Sequence, residues 1–289
     1  MAKLLKGAPV AATISEAAAK KADALIKRGV FPTLAIVRLG ERPGDVSYEK
    51  GATSRCEKTG VAVRHIALPA DTPQERLIEE IKTLNDDLTV HGVLLFRPLP
   101  AGMNDDAVRN TLSPEKDPDG ITDIALAGVF TGARTGFAPC TAVACTEILK
   151  HYGVDPKGKR AVVVGRSLVI GRPVAMMLLA AHATVTICHT RTENMPAICK
   201  DADILIVCAG RANAVDGRYL SEGQVIIDVG VNEDENGVLC GDVNLNEAVE
   251  IVGAITPVPG GVGAVTSSIL AKHVVTAAKK AAEAEGVLI

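Results

Sequence analysis

The segment Val162–Pro173 has the sequence Val-Val-Val-Gly-Arg-Ser-Leu-Val-Ile-Gly-Arg-Pro and decides the fold of the second half of the chain. Three β-branched residues favour a strand, two glycines bound a loop, and the proline suits the first turn of a helix. This order places free backbone N–H groups at a helix N-terminus, where a phosphate binds. The spacing is not GxGxxG, so an ordinary strand-to-helix turn explains the segment equally well.

Strand-like and helix-like segments alternate along the whole chain, which predicts an α/β fold of βαβ units on a mostly parallel sheet. We expect Ser15 and Thr72 to cap helices, with Pro73 in the first turn after Thr72. The stretch from Asp119 to Pro139 has little periodicity and predicts a domain junction. The predicted helices are Ser15–Lys27, Val46–Thr59, Pro73–Asn85, Ala142–Tyr152, Pro173–Ala181 and Ile269–Ala282, and the predicted strands are Thr33–Leu39, Val61–Ala67, Gly92–Phe96, Ala161–Val164, Thr184–Cys188, Ile204–Cys208 and Val225–Val229.

The composition indicates a globular protein of one large or two ordinary domains, since the chain has 289 residues of which 47% are apolar. A net charge of -3 predicts no binding to nucleic acid, and the absence of long apolar runs predicts no membrane span. Because Met1–Gly7 lacks the apolar core of a signal peptide, we expect a cytoplasmic protein. The seven cysteines form no CxxC pair, so we expect reduced thiols and no metal site. Aromatic residues make up only 2%, which predicts an aliphatic core.

Residues that follow other predicted strands support a dinucleotide site. His189, Thr190 and Arg191 follow the strand at Thr184–Cys188, where a Rossmann domain contacts the adenosine ribose. Hydroxyls and a guanidinium at this position favour NADP over NAD, because they can bind the 2′-phosphate that only NADP carries. Arg166 adds a second positive charge. These three residues could equally be the polar, solvent-exposed end of a strand with no ligand. Glycine also follows two further predicted strands, in Cys208-Ala209-Gly210 and in Asp228-Val229-Gly230-Val231-Asn232. In an open α/β sheet such strand ends line the ligand crevice.

Three more segments carry candidate chemistry, and each has a plainer explanation. Thr256–Thr266 contains two prolines and three glycines, which suits either a stiff ligand loop or a hinge. Tyr48 and Lys50 suggest a ring that stacks on a planar substrate and a group that handles protons. The alternative is a solvent-exposed helix start with one half-buried ring. Asp119 follows Asp117-Pro118, which turn chemistry alone explains well.

Together these residues resemble the methylenetetrahydrofolate dehydrogenase/cyclohydrolase family. The resemblance rests on Gly165-Arg166-Ser167 with Gly171 and Pro173, Pro139-Cys140-Thr141, Asp228-Val229-Gly230, Gly241-Asp242-Val243, and Pro257–Gly263. It implies a folate-binding domain at residues 1–138, with a returning helix at 268–289, and a Rossmann-like NAD(P) domain at 139–267. It also implies a homodimer, a tetrahydrofolate substrate, and hydride transfer from its methylene carbon to NADP or NAD. Water then opens the methenyl product to 10-formyltetrahydrofolate.

The resemblance assigns roles to individual residues. It implies catalytic roles for Tyr48 and Asp119, with Lys50 as a further candidate. The implied substrate contacts are Tyr48, Phe96, Pro98, Leu99, Asp119, Pro259, Gly260 and Gly261. The implied cofactor contacts are Thr141, Gly165, Arg166, Ser167, Val169, Gly171, His189, Thr190, Arg191, Cys208, Ala209, Gly210, Val231 and Thr266.

Two departures from the family pattern concern the hydration step. The family lysine, four residues after Tyr48, is replaced by Ala52, and the family glutamine at the end of the central strand is replaced by Phe96. Lys50 lies about 200° around the helix from Tyr48. We therefore predict a dehydrogenase with weak or absent cyclohydrolase activity. The alternatives are a bulge at Gly51 that swings Lys50 inward, a non-catalytic folate- or nucleotide-binding regulator, and a Rossmann dehydrogenase of another small substrate.

Overall fold

The computed structural model describes residues 1–133 and 135–287. These residues form two compact units. The N-terminal unit contains Ala12–Cys140 and the chain from Ser267 onward, and the central unit contains Met1–Ala11 and Thr141–Thr266. The described strands are β1 Lys3–Leu4, β2 Thr33–Leu39, β3 Ala62–Leu68, β4 Gly92–Leu95, β5 Arg160–Val164, β6 Thr184–Cys188, β7 Ile204–Val207, β8 Val225–Asp228, β9 Asn232–Glu233, β10 Leu239–Cys240 and β11 Ala254–Ile255. The described helices are α1 Gly7–Ile26, α2 Pro43–Lys58, α3 Gln74–Asp86, α4 Asp105–Arg109, α5 Asp123–Thr131, α6 Cys140–His151, α7 Gly171–Ala180, α8 Met195–Lys200, α9 Leu245–Ile251 and α10 Gly263–Ala284.

The N-terminal unit contains a parallel sheet in the order β3-β2-β4. Residues 34–37 of β2 are fully buried, as expected for a parallel strand that is covered on both faces. Helix α3 repeats apolar residues at helical spacing and buries Leu77, Ile81 and Leu84 in the same core cluster. The carboxyl end of β4 therefore leaves a well-packed sheet just before Phe96.

The central unit contains a parallel sheet in the order β1-β11-β8-β7-β5-β6. Strand β5 pairs with β6 on one side and with β7 on the other. The order of the strands thus reverses at β5, and ligands of open α/β sheets bind outside the carboxyl ends of the strands at such a point. Strands β9 and β10 form a separate antiparallel hairpin.

Several element boundaries differ from the sequence-based expectation. Helix α1 begins at Gly7, so Ser15 is not its cap, and the Ser15 hydroxyl instead donates to Ser268 Oγ. The Thr72 hydroxyl donates to the carbonyl of Pro69 and does not cap α3. Residues 1–11, which the resemblance assigns to the folate-binding domain, belong to the central unit because β1 pairs with β11.

The stretch from Asp119 to Pro139 contains helix α5, which the sequence did not predict. Thr122 caps this helix, since its hydroxyl accepts a hydrogen bond from the backbone N–H of Ala125. The helix is apolar on most faces, so the polar–apolar periodicity that reveals a surface helix is missing.

The core is aliphatic, as the composition predicts. Among the phenylalanine and tyrosine side chains that the structure describes, those of Phe96 and Phe137 are buried. The seven cysteines are free thiols, five of them buried. None of the described helices combines the length and apolarity that crossing a bilayer requires.

Candidate active site

Helix α2 turns one face toward the core of the N-terminal unit. Ala52 and Cys56 on that face are 1% and 0% exposed, and they lie one turn apart. Tyr48, one turn before Ala52, contacts the ring of Phe96 edge to face with ring centroids 5.8 Å apart. The structure therefore brings Tyr48 and Phe96 together, as the resemblance implies.

Lys50 lies on the exposed part of α2. The helix runs from Pro43 to Lys58 without a bulge at Gly51, so the local rearrangement that would swing Lys50 inward is absent from this described helix. The position one turn after Tyr48 is occupied by the methyl group of Ala52. The site thus contains no ammonium group at the family position.

A partly buried ion pair joins α2 to the sheet. The Glu49 carboxylate contacts Arg38 Nε on β2 at 2.7 Å and His65 Nδ1 on β3 at 2.6 Å. Burial alone would raise the pKa of Glu49, but the hydrogen bonds from His65 and Arg38 lower it below its ordinary value.

The loop after β4 begins with Phe96, whose backbone N–H donates to the carbonyl of Val37 at 3.0 Å. Arg97 pairs with Asp105 through two hydrogen bonds, and the Arg97–Pro98 peptide is cis. Pro98 is exposed. Leu99 packs partly buried against the core cluster of the sheet, which gives this residue a structural role besides the implied substrate contact.

Asp119 lies on a turn that backbone hydrogen bonds hold tightly. The fully buried carboxylate of Asp117 accepts hydrogen bonds from the backbone N–H groups of Ile121 and Thr122 at 3.1 and 2.8 Å. Gly120 has φ +66, and a Cβ there would lie 2.6 Å from the Phe137 carbonyl oxygen, so a side chain is excluded. Asp119 itself is half-buried. Burial, followed by the charge of Asp117, raises the pKa of Asp119 to about 7.

The glycine loop of the central unit lies at the reversal point of the sheet. Gly165 follows β5 with φ +132, and a Cβ there would collide with the backbone of Cys208, which follows β7. A Cβ at Gly171 would collide with Gly165. The two loops therefore pack backbone to backbone, and α7 begins at Gly171 with its N–H groups directed to this edge. Ser167 Oγ accepts a hydrogen bond from the N–H of Ile170, and Val169 is exposed.

A tight turn follows β6. The backbone N–H of His189 donates to Thr192 Oγ1 at 2.9 Å, and the N–H of Arg191 donates to His189 Nδ1 at 3.1 Å. Thr190 and Arg191 are exposed, as is Arg166 in the glycine loop. Both arginines lack an ion-pair partner among residues 1–133 and 135–287. A narrow glycine cradle, a helix N-terminus and two unpaired guanidiniums fit the phosphates of NADP.

Two buried carboxylates, Asp228 and Asp242, shape the same edge. Asp242 accepts hydrogen bonds from the N–H groups of Gly210 and Arg211 at 3.0 and 2.9 Å and so holds the loop with Cys208, Ala209 and Gly210. Asp228 accepts from three backbone N–H groups, those of Gly230, Asp242 and Val243. Burial raises the pKa of Asp228 to about 7.

The remaining implied site residues of the central unit occupy varied positions. Pro259 and Gly260 are exposed after a cis Val258–Pro259 peptide, whereas Gly261 is buried. Thr141 is half-buried at the start of α6, and Val231 is exposed. Thr266 is buried, and its hydroxyl donates to the carbonyl of Gly263. The described part of the chain contains no cluster of three or more side chains that suits a metal ion.

The central unit has a parallel sheet with a glycine cradle of the kind that binds nucleotides, and the second α/β unit carries Tyr48 and Asp119. Together these features define a two-domain nicotinamide-dependent enzyme. Residues 139–282 match the family model described as tetrahydrofolate dehydrogenase/cyclohydrolase, NAD(P)-binding domain, and residues 5–119 match the catalytic domain of the same family. The chain belongs to the tetrahydrofolate dehydrogenase/cyclohydrolase family.

Relatives and solved structures agree with this assignment. The chain is 50% identical over 277 residues to the bifunctional protein FolD of Clostridioides difficile, with 96% of both chains covered. The FolD methylenetetrahydrofolate dehydrogenase/cyclohydrolase structure from Campylobacter jejuni has a TM-score of 0.94 at 36% identity and covers 97% of this chain and 99% of its own. The Trypanosoma brucei dehydrogenase-cyclohydrolase, complexed with NADP cofactor and inhibitor, has a TM-score of 0.91 at 33% identity, with 96% and 98% covered.

These matches confirm the expected family, the two-domain α/β fold, and an enzyme of tetrahydrofolate metabolism with a nicotinamide cofactor. The sequence-based interpretation missed the role of Asp242 in holding the loop at Gly210 and Arg211. Its signal in the sequence was the family motif Gly241-Asp242-Val243, in which it lies.

Proposed function

We propose that the protein oxidises 5,10-methylenetetrahydrofolate to 5,10-methenyltetrahydrofolate with NADP. The observation that carries this proposal is the complete glycine cradle, in which Gly165 packs against Cys208, in a chain that retains Tyr48 and Asp119 of the family's folate site. NADP, when bound, accepts the hydride. The contribution of the protein is to bind and orient the two reactants, because hydride transfer depends chiefly on their positions.

Asp119 and Tyr48 are the proposed substrate anchors. The Asp119 carboxylate, when ionised, accepts hydrogen bonds from the pterin. The Tyr48 ring, which contacts Phe96 edge to face, stacks on the substrate. The further proposed substrate contacts are Pro98, Leu99, Pro259, Gly260 and Gly261.

The proposed cofactor contacts are backbone groups of the cradle and side chains of the turn after β6. Arg166, Thr190 and Arg191 favour NADP over NAD, since two guanidiniums and a hydroxyl suit a 2′-phosphate. The further proposed contacts are Thr141, Gly165, Ser167, Val169, Gly171, His189, Cys208, Ala209, Gly210, Val231 and Thr266.

We infer that hydrolysis of the methenyl product is weak or absent. Hydration of the methenyl carbon needs a positioned water and a group that manages protons, and general acid–base help contributes about 10²–10⁴-fold. The buried methyl group of Ala52 and the buried ring of Phe96 occupy the two family positions for that work. Lys50 lies on the exposed part of α2 and does not replace the missing ammonium.

Mixing the protein with methylenetetrahydrofolate and either NADP or NAD, and following the absorbance of the reduced cofactor, tests the dehydrogenase proposal. We expect reduction with both cofactors and faster reduction with NADP at low cofactor concentration. A protein that binds both ligands without turnover is a regulator, and one that binds the cofactor but ignores folate acts on another small substrate. Either result contradicts the proposal.

We also propose a cytoplasmic homodimer that assembles through the central unit, with folate bound by the N-terminal unit. Large apolar side chains around the β9–β10 hairpin support this, because Val231, Val238 and Leu239 are 64%, 59% and 47% exposed. Light scattering after size exclusion should give twice the mass of the chain, and a monomer would contradict the dimer. Cell fractionation tests the location.

A further inference from the structure

The carboxylate of Asp242 joins the chain segments that follow two neighbouring strands of the central sheet. In the loop after β7, the backbone N–H of Gly210 donates to Oδ2 at 3.0 Å and that of Arg211 donates to Oδ1 at 2.9 Å. Beyond the carboxyl end of β8, Nδ2 of Asn232 donates to Oδ1 at 2.9 Å. Asp242 is 0% exposed. One buried group therefore ties the chain after β7 to the chain after β8.

The position of Asp242 is itself fixed by its neighbours. Its backbone N–H donates to Oδ1 of Asp228, at the end of β8, at 3.1 Å. Its carbonyl oxygen accepts from the N–H of Val215 at 3.0 Å. A Cβ at Gly230 would lie 2.2 Å from Cγ of Asp242, so the chain after β8 touches this carboxylate directly. Because the backbone of Asp242 is held from both sides, its carboxylate sets where the two loops lie.

The strand order indicates which half of a dinucleotide these two loops contact. In the central sheet, β6 lies on one side of β5, whereas β7 and β8 lie on the other. Dinucleotide-binding sheets divide at the reversal point into two mononucleotide-binding halves, and the adenosine half lies with the glycine cradle and the strand that follows it. Those strands are β5 and β6 here. The loops after β7 and β8, with the proposed cofactor contacts Ala209, Gly210 and Val231, therefore belong to the nicotinamide half.

We propose that Asp242 is a positioning residue for the nicotinamide half of the cofactor site. Its carboxylate holds the loops after β7 and β8 at a fixed spacing and acts on the cofactor only through them. The adenosine half, at β5 and β6, is formed without its help. This inference rests on the proposed function, in which the central unit binds NADP.

Asp242→Asn tests the proposal. An amide of the same shape has one acceptor oxygen and would turn its NH2 group toward a donor, so at least one of the three hydrogen bonds is lost. Calorimetry measures the Kd for NADP and for adenosine 2′,5′-bisphosphate, which carries the adenosine half alone. We expect the Kd for NADP to rise about tenfold, as for the loss of one hydrogen bond to a charged group. The Kd for the bisphosphate should stay within about twofold.

The rate of hydride transfer gives a second measurement. The reaction depends on where the nicotinamide ring lies, so kcat at saturating NADP should fall about tenfold or more in Asp242→Asn. A variant that only bound the cofactor more weakly would keep its kcat at saturation. The fall in kcat and the unchanged affinity for the bisphosphate together distinguish positioning from general weakening of the site.

Two other variants provide the comparison. Asp203→Asn is the matched control, because the Asp203 carboxylate also accepts from a backbone N–H, that of Arg160 at 2.8 Å, but lies before β7 at the opposite edge of the sheet. It should leave both Kd values and kcat within about twofold. Arg191→Ala, on the adenosine side, should instead weaken the binding of NADP and of the bisphosphate together.

Asn232→Ala keeps the proposal testable if Asp242→Asn does not fold. It removes only the hydrogen bond to the chain after β8 and leaves the carboxylate in place, so the same selective loss should appear at smaller size. If Asn232 acts through Asp242, the rise in the Kd for NADP in the double variant should be smaller than the product of the two separate rises. Rises that multiply would contradict the shared role.

The possible results separate this inference from the proposed function. A folded Asp242→Asn or Asn232→Ala that binds both ligands as the wild type does, or that loses affinity for both equally, overturns the inference alone. A wild type that binds neither NADP nor the bisphosphate overturns the proposed function instead. Selective loss of NADP affinity with a lower kcat, which Asp203→Asn does not reproduce, supports the inference.

Discussion

The rings of Tyr48 and Phe96 meet edge to face, with centroids 5.8 Å apart and planes inclined by 74°. Tyr48 is 41% exposed, whereas Phe96 is 7% exposed. A solvent-facing ring thus rests on a buried one, and aromatic pairs of this geometry contribute about 0.5–1.5 kcal/mol beyond the area they bury. The position at which the family has a catalytic amide therefore serves packing in this protein.

Replacement of this buried ring should destabilise the N-terminal unit. Phe96→Ala should lower the free energy of unfolding by about 3–5 kcal/mol, because it leaves a cavity in the core. Urea unfolding measures the change. Phe31→Ala is the matched control, since Phe31 is 60% exposed and its loss should cost no more than about 1 kcal/mol. Equal costs for the two variants would contradict the packing role of Phe96.

Gly165 should be intolerant of a side chain. In Gly165→Ala the new Cβ collides with the Cys208 backbone, so the cradle must open, and the Kd for NADP should rise at least about tenfold. Gly158→Ala is the matched control, because Gly158 also has a positive φ of +73, but its new methyl group would meet no described residue within 4 Å beyond its chain neighbours. It should lose stability through backbone strain and keep its NADP affinity. Calorimetry of NADP binding distinguishes the two variants.

Arg191 should discriminate between the two nicotinamide cofactors. Arg191→Ala should raise the KM for NADP about tenfold or more and leave the KM for NAD within about twofold, since only NADP carries the 2′-phosphate. Arg218→Ala, which removes an exposed arginine paired with Asp216, serves as the control and should alter neither value. Parallel losses with both cofactors would show that Arg191 does not read the 2′-phosphate.

Lys50 should be dispensable. Because α2 is regular through Gly51 and Lys50 is exposed, Lys50→Ala should change the rates of methylene oxidation and of methenyl hydrolysis by less than about twofold. Steady-state assays of both reactions on the purified variant measure this. A selective fall in hydrolysis by the factor of about 10² or more that general acid–base groups contribute would instead show that Lys50 reaches the substrate.

The sequence predicts the local elements of this fold well where hydrophobic periodicity is strong. Strands Thr33–Leu39 and Thr184–Cys188 have the predicted bounds, and the glycine loop after β5 connects to a helix as expected. The early start of α1 and the apolar helix α5 were missed, because neither a clear cap nor an alternating pattern marks them. The two-residue strands β1 and β11 are too short to give any periodic signal.

Contacts between distant residues set the limit for the site. Tyr48 and Asp119 stood out in the sequence, and the resemblance gave them their roles. By contrast, the hydrogen bond from His273 to the Pro118 carbonyl joins residues 155 positions apart. No spacing rule predicts such a contact, since it depends on how α10 packs in the N-terminal unit. Likewise, Asp242 lies in a family motif, but its role is visible only in the structure, where its carboxylate holds the N–H groups of Gly210 and Arg211.

The most direct test of the account compares two rates on one preparation of the wild type: oxidation of methylenetetrahydrofolate with NADP and hydrolysis of methenyltetrahydrofolate. Because Ala52 and Phe96 replace the family's proton-handling groups, we predict rapid oxidation and a hydrolysis rate at least about a hundredfold lower, close to the uncatalysed rate at the same pH. Hydrolysis that keeps pace with oxidation would contradict the central claim.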